Sequence, residues 1–245
     1  MNSNKSNLAK KNRNYKPKTD LSQLFKLLYE KKTFFSLILI TLVAQLYITY
    51  YVSENFDIEK NKNIITNNHP FFVDTNTIVA YVVLIFLIIV LGLVPMPPWL
   101  KFIVFSLFSA TFGVILAYRK SRYDPNTIKT AVLGTISIFV SMFAFGVALI
   151  ASNIQLSSMF GLGLFYALLF IFMILIVQIF IIQSSLLYKI IVVSLLMLFS
   201  VYIVYDTNQI LQRDYSGDFI TASLDYYLDI INIFSNLLSL SNFDE

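Results

Sequence analysis

Two carboxylates sit where carboxylates are costly. Asp206 interrupts Val201-Tyr-Ile-Val-Tyr-Asp-Thr-Asn-Gln-Ile210, and Asp229 interrupts Tyr226-Tyr-Leu-Asp-Ile-Ile-Asn-Ile-Phe234; both runs are otherwise largely apolar. An ionisable side chain inside a membrane span costs roughly 2.5–3.5 kcal/mol on insertion scales and marks a functional candidate. The midpoint of positions 206 and 229 falls between Gly217 and Asp218, inside the polar stretch 212–218. In an antiparallel helical hairpin, that symmetry puts both side chains at one depth, about 10–13 Å above the turn at the helical rise. Two carboxylates about 4 Å apart repel by roughly 4 kcal/mol at an effective dielectric near 20. The pair is therefore expected to share a proton and titrate as a unit, a proton-sensing gate that needs no histidine. Deprotonated, it offers hard oxygen ligands suited to a transient Ca²⁺.

The neighbours of Asp229 add a pattern. Asp225, Asp229, Asn232, Asn236 and Ser239 recur at spacings of four, three, four and three, which is one face of a helix. Such a stripe belongs in a bundle interior or against water. Two readings are open: a polar path leading past the aspartate pair, or a hydrogen-bonded network that locks helices together.

These residues need elements to hold them, and the composition says which. Hydrophobic residues make up 57 % of the 245-residue chain and charged residues 13 %, too little polar surface for a soluble domain. Seven apolar stretches recur, approximately 34–52, 78–94, 99–118, 128–151, 159–182, 186–210 and 219–240. Lipid leaves backbone groups nothing to bond with, so runs of this length are helices. The expectation is an all-α polytopic membrane bundle of about seven helices, occupying residues 34–245. No resident cofactor is expected. The absence of cysteine excludes disulfides, thiolate catalysis and zinc–thiolate sites. The one histidine, His69, lies in a polar loop and reads as a solvated residue.

Residues 1–20 are Asn- and Lys-rich and read as a disordered basic tail; residues 21–33 read as an amphipathic helix on the membrane face or as an extension of the first span. Nine of the eighteen Lys/Arg precede Phe34. Beside a first span, that excess marks a cytoplasmic N-terminus rather than a nucleic-acid-binding arm. Arg119, Lys120, Arg122 and Lys129 conflict with this scheme, because strict alternation puts them outside. Lys101 and Lys189, within a turn of helix starts, are explained by snorkelling. The fourth span carries Gly134, Ser137, Ser141, Ala144, Ala148 and Ala151 on one face, which predicts a close helix–helix seam.

The C-terminal third resembles the transmembrane Bax inhibitor motif family, especially its lifeguard and Golgi anti-apoptotic branch. Leu224-Asp-Tyr-Tyr-Leu-Asp-Ile-Ile-Asn-Ile-Phe234 is similar to that family's Tyr-Leu-Asp-Ile-Ile-Asn-hydrophobic-Phe signature, and Tyr205-Asp-Thr-Asn208 to its Asp-Thr-Gln element. Gln45 with Thr49, and Thr135, fit less closely. The resemblance implies a central seventh helix and a paired-aspartate gate at Asp206 and Asp229. It also implies a pH-sensitive calcium leak that lowers organellar calcium and suppresses apoptosis from an ER or Golgi membrane. Asn208 stands in place of the family's Gln, and the second span carries no basic residue to latch the pair.

Other functions compete with the channel. A non-conducting protein that binds apoptosis regulators or other channels would share every feature above. An intramembrane aspartyl protease would use Tyr205-Asp206, but its Gly-x-Gly-Asp partner is reduced to Ser216-Gly-Asp218 in the turn. A seven-helix receptor would leave the matched aspartates unexplained. The expected partners are the bilayer, Ca²⁺ and protons; no enzymatic role is expected.

Overall fold

The computed structural model describes residues 29–57, 75–212 and 217–241. The predicted tail, most of the interfacial helix, His69 and most of the long first loop lie outside these residues. Within them the chain forms seven long α-helices and no strand. These are α1 Lys32–Asn55, α2 Thr75–Leu93, α3 Pro98–Lys120, α4 Pro125–Ala151, α5 Ser158–Val177, α6 Ser185–Gln212 and α7 Phe219–Ser241. The chain is thus an all-α polytopic membrane bundle, five of whose helices are long and apolar enough to cross a bilayer on composition alone.

Helix boundaries follow capping chemistry rather than the edges of the apolar runs. The fourth run begins at Ile128, but α4 begins at Pro125. The Asp124 carboxylate accepts from the N–H groups of Asn126 (2.8 Å) and Thr127 (3.2 Å), and Pro fits the first helical turn. Helix α3 also starts with a proline, Pro98, after an extended Pro97 that gives it no side-chain cap. The fifth run relaxes into a π-helical turn, Gln178–Ile182. There the Gln178 amide donates to the carbonyl of Ser184 (2.8 Å) and accepts from its N–H (3.3 Å), closing the turn into α6.

Helix α7 is the centre, packed against α6, α1, α4 and α3, while α2 lies outside on α3 and α5 outside on α6. Two adjacent tyrosines explain the central position. Tyr226 and Tyr227 are both fully enclosed. The Tyr226 ring meets Phe139 edge-on at 5.4 Å, and its hydroxyl lies 2.8 Å from that of Thr207. One position on, Tyr227 meets Phe105 edge-on at 5.2 Å, with its hydroxyl 2.5 Å from Thr49. The pair pins α4 and α6 on one side and α1 and α3 on the other. Each hydroxyl has a partner, as burial demands.

Two basic residues fix the depth of α7. At its start, Lys101 of α3 reaches Asp218 (2.5 Å) and the Thr221 hydroxyl. Near its end, the Arg119 guanidinium donates to the Ser235 carbonyl (3.1 Å) and the Ser239 hydroxyl (3.2 Å). Eighteen residues separate Lys101 from Arg119, and eighteen separate Thr221 from Ser239. The two helices therefore run parallel over roughly 27 Å at the helical rise, close to the ~30 Å hydrocarbon thickness. Helix α7 is one unbroken helix of 23 residues alongside α3. The snorkelling reading of Lys101 is thus corrected, since the ammonium is spent on α7. At Asp218, burial raises the carboxyl pKa, but the Lys101 ammonium and the Thr221 donors outweigh it and hold the group below its ordinary value.

The small-residue seam on α4 is also corrected. Ser137, Ser141, Ala144 and Ala148 are exposed on the bundle surface. Of the predicted seam Gly134 does meet a neighbour, Leu237 of α7, but the tightest approach lies one stripe away, at Gly146, which is buried against Thr207 and the Val204 carbonyl of α6. Periodicity found a face of small residues, but the bundle uses the neighbouring face, where Ala131, Thr135 and Gly146 alternate with phenylalanines that fill the core.

Candidate functional site: an aspartate pair between helices α6 and α7

Helices α6 and α7 form the predicted antiparallel hairpin, and the structure brings Asp206 and Asp229 together within it. Their carboxyl groups line one pocket between the two helices. They are 7 % and 4 % exposed, and one oxygen of Asp229 is enclosed without a hydrogen-bond partner.

The pair borders a pocket of about 290 Å³ between α5, α6 and α7. Asp225, one turn before Asp229, shares the pocket with Tyr202, Tyr205, Leu168, Phe199 and Leu228. Among the described residues, no Lys or Arg lines it. Tyr202 is a pocket residue that the sequence pattern gave no reason to choose, and Tyr205 entered only as the residue before Asp206. They sit four and one residues before Asp206, on the turn of α6 that faces α5. Gly161 of α5 makes room for Tyr205: a Cβ there would collide with the tyrosine ring and hydroxyl.

The remaining stripe residues behave differently. The amides of Asn232 and Asn236 donate to the carbonyls four residues earlier in their own helix, Leu228 (2.7 Å) and Asn232 (2.9 Å). Ser239 accepts from Arg119. The stripe therefore begins as a pocket wall at Asp225 and Asp229 and ends under a guanidinium. Among the described residues, no group of three or more carboxylates or histidines is placed to hold a metal ion. A Ca²⁺ role would rest on Asp206 and Asp229 as a pair.

Next to the aspartates, Asn208 and Gln209 have a task that spacing could not show. Asn208 accepts from the Leu156 N–H (2.8 Å) and donates to the Ile154 carbonyl (3.0 Å), while Gln209 donates to the Leu156 carbonyl (2.7 Å). The end of α6 thus clamps the α4–α5 connection. Asp218, the carboxylate that a protease would pair with Asp206, is engaged by Lys101 at the start of α7.

A helical membrane bundle with a central polar helix and a buried carboxyl pair is the class these features define. The chain belongs to the family described as "Inhibitor of apoptosis-promoting Bax1", which it matches over residues 27–244. It is 28 % identical over 202 residues to the protein named Bax inhibitor 1 of Schizosaccharomyces pombe (strain 972 / ATCC 24843); the match covers 81 % of this chain and 72 % of that one.

Proposed function

We propose that this protein is a proton-gated cation leak that passes Ca²⁺ out of an endomembrane compartment, with its N-terminus in the cytoplasm, and that it suppresses apoptosis by lowering the compartment's calcium. The observation that carries this reading is the buried pair Asp206–Asp229 on the wall of one pocket, one carboxylate from each of two neighbouring helices. One shared proton holds α6 to α7. Its loss leaves two like charges in a poorly solvated site, which must separate, gain water or recruit a cation. Deprotonation then favours conduction and acidification favours closure. The N-terminal excess of Lys/Arg supports the orientation.

Calcium flux in liposomes carrying the purified protein tests the reading. Asp206→Asn and Asp229→Asn should each flatten the pH dependence of flux. The double variant should add little, because the pair acts as one unit, and Asp225→Asn should matter less. Single variants that keep the wild-type pH profile would place the gate elsewhere. A second reading, a non-conducting anti-apoptotic partner of other membrane proteins, draws support from Asn232 and Asn236, whose amides are satisfied within α7. Absence of flux at every pH would favour it.

A further inference from the structure

A second cavity lies across α7 from the aspartate pair. Ile230, Ile231 and Phe234 line it, and at 3.6 residues per turn they face away from Asp225, Leu228 and Asp229. Its volume is about 370 Å³ and its walls are almost wholly apolar. Three helices each line it with a matched stretch: Leu46 to Glu54 on α1, Phe112 to Lys120 on α3 and Ile128 to Ile136 on α4. Eight residues of helix rise roughly 12 Å. The crevice therefore runs along the helices, from the level where α1 and α3 end to about 12 Å inside the bundle. It opens sideways, since Val132 and Ile136 on its rim are exposed.

Hydrocarbon chains reach such a crevice without leaving the bilayer, so apolar contact alone selects no particular lipid. Selection has to come from the mouth. There the Lys120 ammonium is paired with the Glu54 carboxylate, 5.7 Å from the centre of the Tyr50 ring. One positive charge, one negative charge and an aromatic face stand together at the headgroup level. We propose that the crevice holds one acyl chain of a zwitterionic glycerophospholipid, whose headgroup exchanges into this ion pair. The phosphate takes Lys120, and the quaternary or primary ammonium takes Glu54 and the face of Tyr50. The exchange replaces an exposed ion pair, an interaction that contributes little on its own. An anionic phospholipid would pair its phosphate with Lys120 and leave the Glu54 carboxylate beside it with no compensating cation. A fatty acid carboxylate would satisfy only Lys120.

Native mass spectrometry of the full-length protein tests this. The detergent-solubilised protein is offered phosphatidylcholine and phosphatidylglycerol with identical chains in equal amounts, with oleate in a separate arm. Wild type should retain one phosphatidylcholine in preference to phosphatidylglycerol by about fivefold, equivalent to ~1 kcal/mol. Glu54→Gln should erase that preference, and Lys120→Gln should cut retention of phosphatidylcholine by a similar factor. Ile136→Trp, or Val132→Trp should the first fold poorly, fills the crevice from its exposed rim and should lose both lipids. Equal retention by wild type and the tryptophan variants would show only annular lipid and overturn the proposal. A preference for phosphatidylglycerol or oleate would overturn it too, as would a Glu54→Gln variant that selects like wild type.

Discussion

Gly146→Ala should destabilise the bundle even though alanine is the better helix former. In a helix interior, replacing Gly by Ala gains about 1 kcal/mol of propensity. At position 146 the new Cβ would stand 2.7 Å from the Thr207 Cβ and 2.9 Å from the Val204 carbonyl oxygen. Ordinary contact begins near 3.4 Å, so α4 and α6 must part by at least half an ångström. The obstacles are a backbone oxygen and a β-branched carbon held by the Tyr226 hydroxyl, neither of which can swing aside. Overpacking of this kind costs about 1–3 kcal/mol, and here the upper part of that range applies. The net loss is about 1–2 kcal/mol, or roughly 2–8 °C in the thermal midpoint for a chain of this size. Thermal unfolding of the purified protein in detergent measures it, with Gly163→Ala as control. Nothing lies within 4 Å of a Cβ at position 163, so that variant should be neutral or slightly stabilised. If Gly146→Ala unfolds at or above the wild-type temperature, the close approach of α4 and α6 is not a feature of the folded protein.

Lys101→Met should lower stability at neutral pH and weaken its loss in acid. The Asp218 carboxyl is held below its ordinary value, so its contribution is full above the unfolded pKa of about 3.9 and disappears as pH falls through the lower folded value; an unfolding series from pH 6 to 3 reads the difference. Tyr227→Phe should cost about 0.5–1.5 kcal/mol, the loss of one buried hydrogen bond, because the Thr49 hydroxyl still reaches the Gln45 and Ser109 carbonyls. Adding Thr49→Val should cost less than the sum of the two single changes, as a double-mutant cycle of unfolding energies would show. Asn208→Ala should free the α4–α5 connection, seen as faster hydrogen exchange at the Leu156 N–H, whose acceptor it removes.

The hairpin and its aspartates were legible because two simple quantities fix them: the length of the apolar runs, and the symmetry of positions 206 and 229 about a polar turn. Membership of the family was legible from the same stretch, since Tyr226, Tyr227 and Asp229 fall within its signature. Other features depend on which face of a helix meets a neighbour, and hydropathy carries no such information in a bundle whose outside is as apolar as its inside. The small face of α4 was placed in the core when Gly146, one stripe over, makes the closer contact. Tyr202 and Tyr205 line the pocket as ordinary members of an apolar run. Lys101 and Arg119 looked like interfacial residues because their partners, Asp218 and Ser239, are more than a hundred positions away.

The central place of α7 bears on how the chain is made. This helix does not qualify as a span by its own hydropathy, yet twelve of its residues are buried. Its Ser223 hydroxyl donates to the Ile38 carbonyl of α1, 185 positions earlier. During synthesis, α1, α3, α4 and α6 emerge first and must leave a slot that none of them fills. A segment with so polar a flank would enter lipid poorly by itself, but it can slide into a slot already lined with partners for Tyr226, Tyr227 and Ser223. Helix α7 would then act as the bolt of the assembly. Ribosome-bound chains stopped before Phe219 should remain loose enough for membrane proteases to cut, and the protected state should arise only once α7 has docked.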